Sequence, residues 1–420
     1  MKRTAIAAPL LLRLWLLCFL VATTAGACRD REPPAPAPED TAPAPTPAPP
    51  DRAPPATPFA EIARYDCPGL VFTLAYDGAH AVVAATRGGP AMLCGLDATA
   101  TGDALPARLE LLDDFAGAVT SLGDALFAAL QVEAQRLLLL HLDLTQRPQR
   151  FVELLSLPVE GTPAAAAFAA GRLWLLVRGT TDGRGLMAID PVSGEVRARL
   201  STGPSPVALT VTGQAPHQAL RVVTIDTEHP EEEQGQILRL AATASSDDEV
   251  QRSAIRGWPV ALQPGDLQSP TPSQWLLRHT AKELLEITPS GVPGATLTLP
   301  ALPMRVLQPT ATTLYALSPE GQLSLARFDG QRWAVAHSAE VGVGSVELAW
   351  VAPYLLLLDG KGRKLSLRHP ETLAEIATHP LDGAPGRLLY APKLHRAFVT
   401  LPDRQQIVAV MLDPDAVPPP

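Results

Sequence analysis

The chain has 420 residues, of which 46% are apolar and 18% charged, with 44 prolines and a formal charge of −9. Removing the three cations of residues 1–27 takes the charge from −9 to −12, an excess that repels polyanions and excludes nucleic acid as a partner. So apolar a chain buries a sizeable core, and its length suits two or three average domains or a single propeller.

Met1-Lys2-Arg3 is a short positive segment, and Ala5 to Ala22 is almost wholly apolar, broken once by Arg13. Three small residues, Ala25-Gly26-Ala27, then precede Cys28. This order predicts a signal peptide over 1–27. It disfavours a permanent span, because a charge at mid-helix costs about 2.5–3.5 kcal/mol on insertion. The triplet and its cysteine resemble the lipobox of bacterial lipoproteins, with Ala25 where that family carries Leu. The resemblance implies that Cys28 is acylated, as by palmitate, and that a lipid anchor on Cys28 holds the chain to a membrane. Ordinary cleavage after Ala-x-Ala also leaves Cys28 first, without lipid. On the lipoprotein reading the protein is exported and anchored in the bacterial cell envelope, inner or outer membrane, facing the periplasm or the cell surface.

From Arg29 to Pro58 the composition shifts to Pro, Ala and Thr, as in Pro33-Pro34-Ala35-Pro36-Ala37-Pro38. Such a stretch has little to bury and few backbone donors, so residues 28–59 are expected to be a disordered, extended tether. At about 3.1 Å per residue it reaches at most ~90 Å.

From residue 60 to 414 one pattern recurs, with a six-residue tail at 415–420. The clearest part is a near-continuous apolar run, such as Ala81-Val82-Val83-Ala84-Ala85, Leu173-Trp174-Leu175-Leu176-Val177 or Tyr354-Leu355-Leu356-Leu357-Leu358. Bounded by turn residues, such runs read as strands buried on both faces. Eight copies spaced by roughly 40–50 residues predict an all-β, eight-bladed propeller. Seven blades is the alternative, if the weak unit from Gly257 to Leu302 forms none. Ala60-Glu61-Ile62-Ala63 repeats Ala374-Glu375-Ile376-Ala377, the fourth strand of the seventh unit, yet stands before the first unit. The last unit has only three strands. An N-terminal strand at Glu61–Tyr65 is therefore expected to complete the final blade and close the ring.

Asp190-Pro191-Val192-Ser193-Gly194-Glu195-Val196, followed by Gly203-Pro204-Ser205-Pro206-Val207-Ala208, resembles YVTN-type propeller repeats. Ala188-Ile189-Asp190 with Ser193-Gly194 is similar to quinoprotein-type repeats, with Ala198 where those carry Trp. These resemblances imply a propeller and no particular activity.

Chemistry is sparse in the pattern. Asp97, Asp143, Asp190, Asp329 and Asp413 each end a third strand, where Asp opens a tight turn through its own backbone. Cys67 and Cys94 are the two remaining thiols of the mature domain and are expected to form a disulfide outside the cytoplasm; buried free thiols are the other reading. The nine histidines have no metal-binding spacing. The acidic runs 226–233 and 245–249 read as solvated loops, and Trp174, Trp275 and Trp350 as core. No catalytic, cofactor or metal residues and no cofactor are assigned. Tyr76, Asp77, Thr120 and Gln308 are the polar residues expected near the axis. The functional expectation is a binding or scaffold module for a protein partner or small ligand. The alternative is a lactonase-like hydrolase with its site in the central funnel.

Overall fold

The computed structural model describes residues 58–87, 91–102, 105–111, 118–203, 205–213, 217–225, 234–264, 272–278 and 281–417. The signal segment, Cys28 and the Pro/Ala stretch up to Thr57 lie outside them, as do His229, His279 and the acidic run 226–233. Among the described residues no helix is long and apolar enough to cross a membrane.

Eight sheets of four antiparallel strands make eight blades. In chain order they cover residues 70–110, 119–158, 162–200, 205–256, 259–298, 305–340, 345–380 and 388–412, the last joined by the strand Phe59–Asp66. The first strand of each blade touches the first strand of both neighbours, so these inner strands form a closed ring around an axis. The unit from Gly257 to Leu302 makes a blade of its own, so the count is eight and not seven.

The second strand explains why blades must stack. Ala81–Arg87 and Tyr354–Asp359 are buried at nearly every position, one side chain to each face. A lone four-stranded sheet leaves both faces wet, so each blade needs two neighbours. The cores accordingly run between adjacent blades, as where Val83 and Leu93 of blade 1 pack with Phe127 and Leu140 of blade 2. Trp174 and Trp275 are fully buried, but Trp350 is only half-buried. It lies on an inner strand whose side chains are only partly covered, and it stacks on Tyr315 at 6.2 Å.

The glycines that open several inner strands have a backbone cause. Gly161 and Gly203 enter their inner strands with φ of 102° and 78°, a left-handed conformation that only glycine adopts cheaply, and Gly69, Gly257 and Gly344 do the same. One residue further in, the ladder skips a residue in blades 1, 3, 4, 5 and 7, at Phe72, Ala164, Val207, Val260 and Val346. A bulge frees a carbonyl, and arginines of the preceding blade take some of them. Arg178 Nε donates to Pro206 O at 2.8 Å, and Arg387 Nε donates to Phe72 O at 2.9 Å.

Closure uses the N-terminal strand. Phe59–Asp66 pairs antiparallel with Gln406–Leu412, from Phe59 opposite Leu412 to Asp66 opposite Gln406. Cys67 N donates to Gln405 O at one end, and Asp413 N donates to Pro58 O at the other. The Cys67 and Cys94 sulfurs are joined, with Cα atoms 6.0 Å apart and a sequence separation of 27. That bond links the end of the closing strand to the third strand of blade 1.

Candidate functional site

The five third-strand aspartates build turns. Each carboxylate accepts from the backbone N–H two residues on, at Thr99, Thr145, Val192, Gln331 and Asp415. Backbone donors at Ser193 and Val192, with Arg197, hold the Asp190 carboxyl down at about 2. In blade 7 His369 takes the same place, its Nδ1 accepting from Glu371 N and Thr372 N. The acidic run at 245–249 closes on itself, with the Glu249 carboxylate accepting from Ser245 N and Ser246 N. Those donors lower its pKa.

The polar residues expected near the axis separate into two kinds. Asp77 Oδ1 accepts from the backbone of Ala79, His80 and Ala81, its Oδ2 accepts from Ala125 N, and the Tyr76 hydroxyl donates to Ala79 O. Gln308 Oε1 accepts from the buried Trp275 Nε1 at 2.7 Å. These groups tie turns and blades together. Thr120 alone of the four lines a cavity.

That cavity, of about 440 Å³, opens on the axial side of blades 2, 3 and 4. Its polar wall is Thr120, Ser121 and Thr210 of inner strands and Gln274 from the second strand of blade 5. Ala166, Ala167, Leu209 and Phe168 give it an apolar side. The run Ala164-Ala165-Ala166-Ala167 in the inner strand of blade 3 leaves the space, because small side chains do not fill the axis. A pocket of this size, mostly apolar with a few placed polar groups, suits a small molecule. The residues lining it include no His, Asp or Glu.

Behind Gln274 stands a residue that the sequence reading passed over. Arg221, on the second strand of blade 4, is completely buried. Its Nη1 donates to Gln274 Oε1 at 2.9 Å and its Nη2 to Thr288 O at 2.7 Å. Its Nε has no partner. No acidic side chain among the described residues bonds to it, and its cross-strand neighbour is Arg239. Burial, with Arg239 nearby, pulls its pKa down to about 10. Gln274 Nε2 in turn donates to Thr210 Oγ1 at 2.8 Å. An arginine inside the apolar run Ala219-Leu220-Arg221-Val222-Val223 was the available signal.

A second polar cluster sits at the opposite mouth, where the inner strands begin. Glu347 accepts from Arg305 Nε at 2.8 Å and from Arg387 Nη1 at 2.6 Å. Burial opposes the Arg305 charge, but the Glu347 carboxylate outweighs it and raises the pKa. This clasp joins blades 6, 7 and 8 and is internally paired. Among the described residues no group of three or more His, Cys, Asp or Glu is placed to hold a metal ion.

Fold and cavity together define an eight-bladed β-propeller with a small-molecule-sized opening on its axis. No protein-family profile and no curated protein matches the chain. Solved structures do. BamB from Moraxella catarrhalis superposes with a TM-score of 0.58 at 13% identity, over 84% of this chain and 100% of that one. Sqt1 from Saccharomyces cerevisiae gives 0.64 at 10% identity, over 84% and 99%. Apo AztD from Citrobacter koseri gives 0.54 at 11% identity, over 75% and 87%. At such identities the likeness is one of fold.

Proposed function

We propose that this chain is an exported binding module, tethered to a bacterial membrane through a lipid on Cys28. The Pro/Ala segment lifts the ring from the bilayer, and the ring presents a ligand site on its axis. The observation that carries the binding role is the axial cavity, lined by hydroxyl and amide groups beside an apolar wall and without acid or base. The order Ala25-Gly26-Ala27-Cys28 followed by thirty residues rich in Pro and Ala supports the tether. The fold shared with BamB and AztD is compatible with a protein partner at the rim.

The test is fractionation of a bacterial host expressing the full chain, beside a Cys28→Ala variant. The wild-type chain is expected in the membrane fraction, released by detergent and labelled by radioactive palmitate. Cys28→Ala is expected in the soluble fraction without label. Wild-type protein that is soluble, or a variant that stays on the membrane, overturns the tether. Absence of any co-purifying protein and of any small molecule in the denatured extract of the membrane-purified chain overturns the binding role.

A further inference from the structure

Resting on the binding role proposed above, we infer that the axial cavity of blades 2 to 5 takes a small amphipathic carboxylate, drawn by the buried charge of Arg221.

Removing a cation from water is costly unless an opposite charge or a full set of hydrogen bonds replaces the solvent. Arg221 has neither. It is completely buried, two of its nitrogens find neutral oxygens, and its Nε finds nothing. The nearest charge across the ladder is the like charge of Arg239. The missing counter-charge has an open place to sit, because Gln274, the direct partner of Arg221, is itself part of the cavity wall.

The connecting groups are polarised in the direction an anion requires. Gln274 Oε1 faces the guanidinium, so its amide nitrogen points away from it and toward Thr210. The Thr210 hydroxyl accepts that bond and also donates to Gln274 Oε1 at 3.2 Å. The donor left for a ligand is therefore the second hydrogen of Gln274 Nε2, an amide polarised by the guanidinium on its oxygen. Thr120 and Ser121 add two further hydroxyls on the same wall. Donors aligned by a buried cation favour a carboxylate over an amide of the same shape. Ala166, Ala167, Leu209 and Phe168 provide the side against which a short apolar body packs. The volume of about 440 Å³ admits such a molecule and not a protein loop of any length.

The experiment is calorimetric titration of the full chain in detergent with two isosteric pairs, hexanoate against hexanamide and benzoate against benzamide. Each carboxylate is expected to bind at least about tenfold more tightly than its amide. Arg221→Met removes the charge and is expected to level each pair. Gln274→Glu places a fixed carboxylate on Arg221 and is expected to abolish hexanoate binding while the melting temperature stays at or above that of the wild type. This second variant decides the matter if Arg221→Met does not fold. Equal binding of acid and amide, no binding of either, or an acid preference that survives both variants overturns the inference. A membrane-bound chain that retains a co-purifying protein in those cases leaves the binding role standing without this ligand.

Discussion

Two stretches of the ring, the seam where blade 8 meets blade 1 and the axial wall shared by blades 4 and 5, treat polar groups in opposite ways. At the seam the closing strand is paired along its length, the Tyr65 hydroxyl donates to Asp97 O, and Arg396 Nη1 donates to Ala98 O and Ala100 O. A sulfur–sulfur bond is added between Cys67 and Cys94. At the wall a buried guanidinium keeps an unpartnered nitrogen and, among the described residues, no acidic partner. A ring must be clasped somewhere, and its clasp gains from every satisfied group. A ligand wall gains from a group left wanting. Stabilising contacts are therefore concentrated where the termini meet, and a destabilising charge is kept behind Gln274, one residue removed from the axial cavity.

The largest way to break this contrast is to delete Phe59–Asp66. The third strand of blade 8 then loses its partner, and Val408 and Val410 are uncovered on an open edge. The expected loss exceeds about 5 kcal/mol, enough to abolish a cooperative thermal transition. Calorimetry and gel filtration read it, and an unchanged melting temperature would show that the seam does not hold the ring. Next comes the covalent tie. Cys67→Ala with Cys94→Ala is expected to cost about 3–4 kcal/mol for a loop of this length. Mass spectrometry without reduction must find both thiols oxidised, and denaturant titration gives the cost. A smaller effect sharpens the packing side of the seam's first blade. A Cβ at Gly95 would stand 2.5 Å from a methyl of Leu142 in blade 2. Gly95→Ala is expected to cost about 1–3 kcal/mol by overpacking that interface. A neutral outcome there would mean that adjacent blades can slide apart.

Much of the seam was legible in the sequence, and the wall was not. The eight second strands declare themselves as unbroken apolar runs because both faces are covered, and the copy of Glu375-Ile376-Ala377 at Glu61-Ile62-Ala63 marks the missing fourth strand. Blade 5 was faint because its second and third strands, Gln274–Arg278 and Glu283–Ile287, are five residues each and carry a charged residue at one end. Trp275 compensates, donating to Gln308 and meeting Trp333 edge-on at 5.4 Å. The axial polar residues were chosen by strand position alone, and strand position does not say whether a side chain turns into the channel or ties a turn, as Asp77 does. The isolation of Arg221 is a property of two neighbouring blades brought together, since Gln274 and Thr288 are more than fifty residues away in the chain.

The smallest effect separates the two regions by the sign of their response to alkali. Burial at the seam raises the Tyr65 pKa from 10.0 to about 12. Above pH 10 the unfolded chain ionises this phenol first, so its stability contribution, full below the unfolded pKa, is lost as pH rises toward 12. Burial at the wall lowers the Arg221 pKa to about 10. The charge therefore costs stability below pH 10, and the cost shrinks as pH rises through 10, because the folded protein releases the proton before the unfolded chain does. At about pH 10.5 each change is on the order of 1 kcal/mol, in opposite directions. Denaturant unfolding at neutral and alkaline pH reads both against single variants. Tyr65→Phe starts below the wild type, having lost the bond to Asp97 O, and is expected to close that gap as the wild-type phenol ionises. Arg221→Met is expected to start with a lead over the wild type and to lose part of it over the same interval. Parallel pH profiles for the two variants would mean that seam and wall carry the same kind of polar burial, and the contrast between clasp and ligand wall would fall.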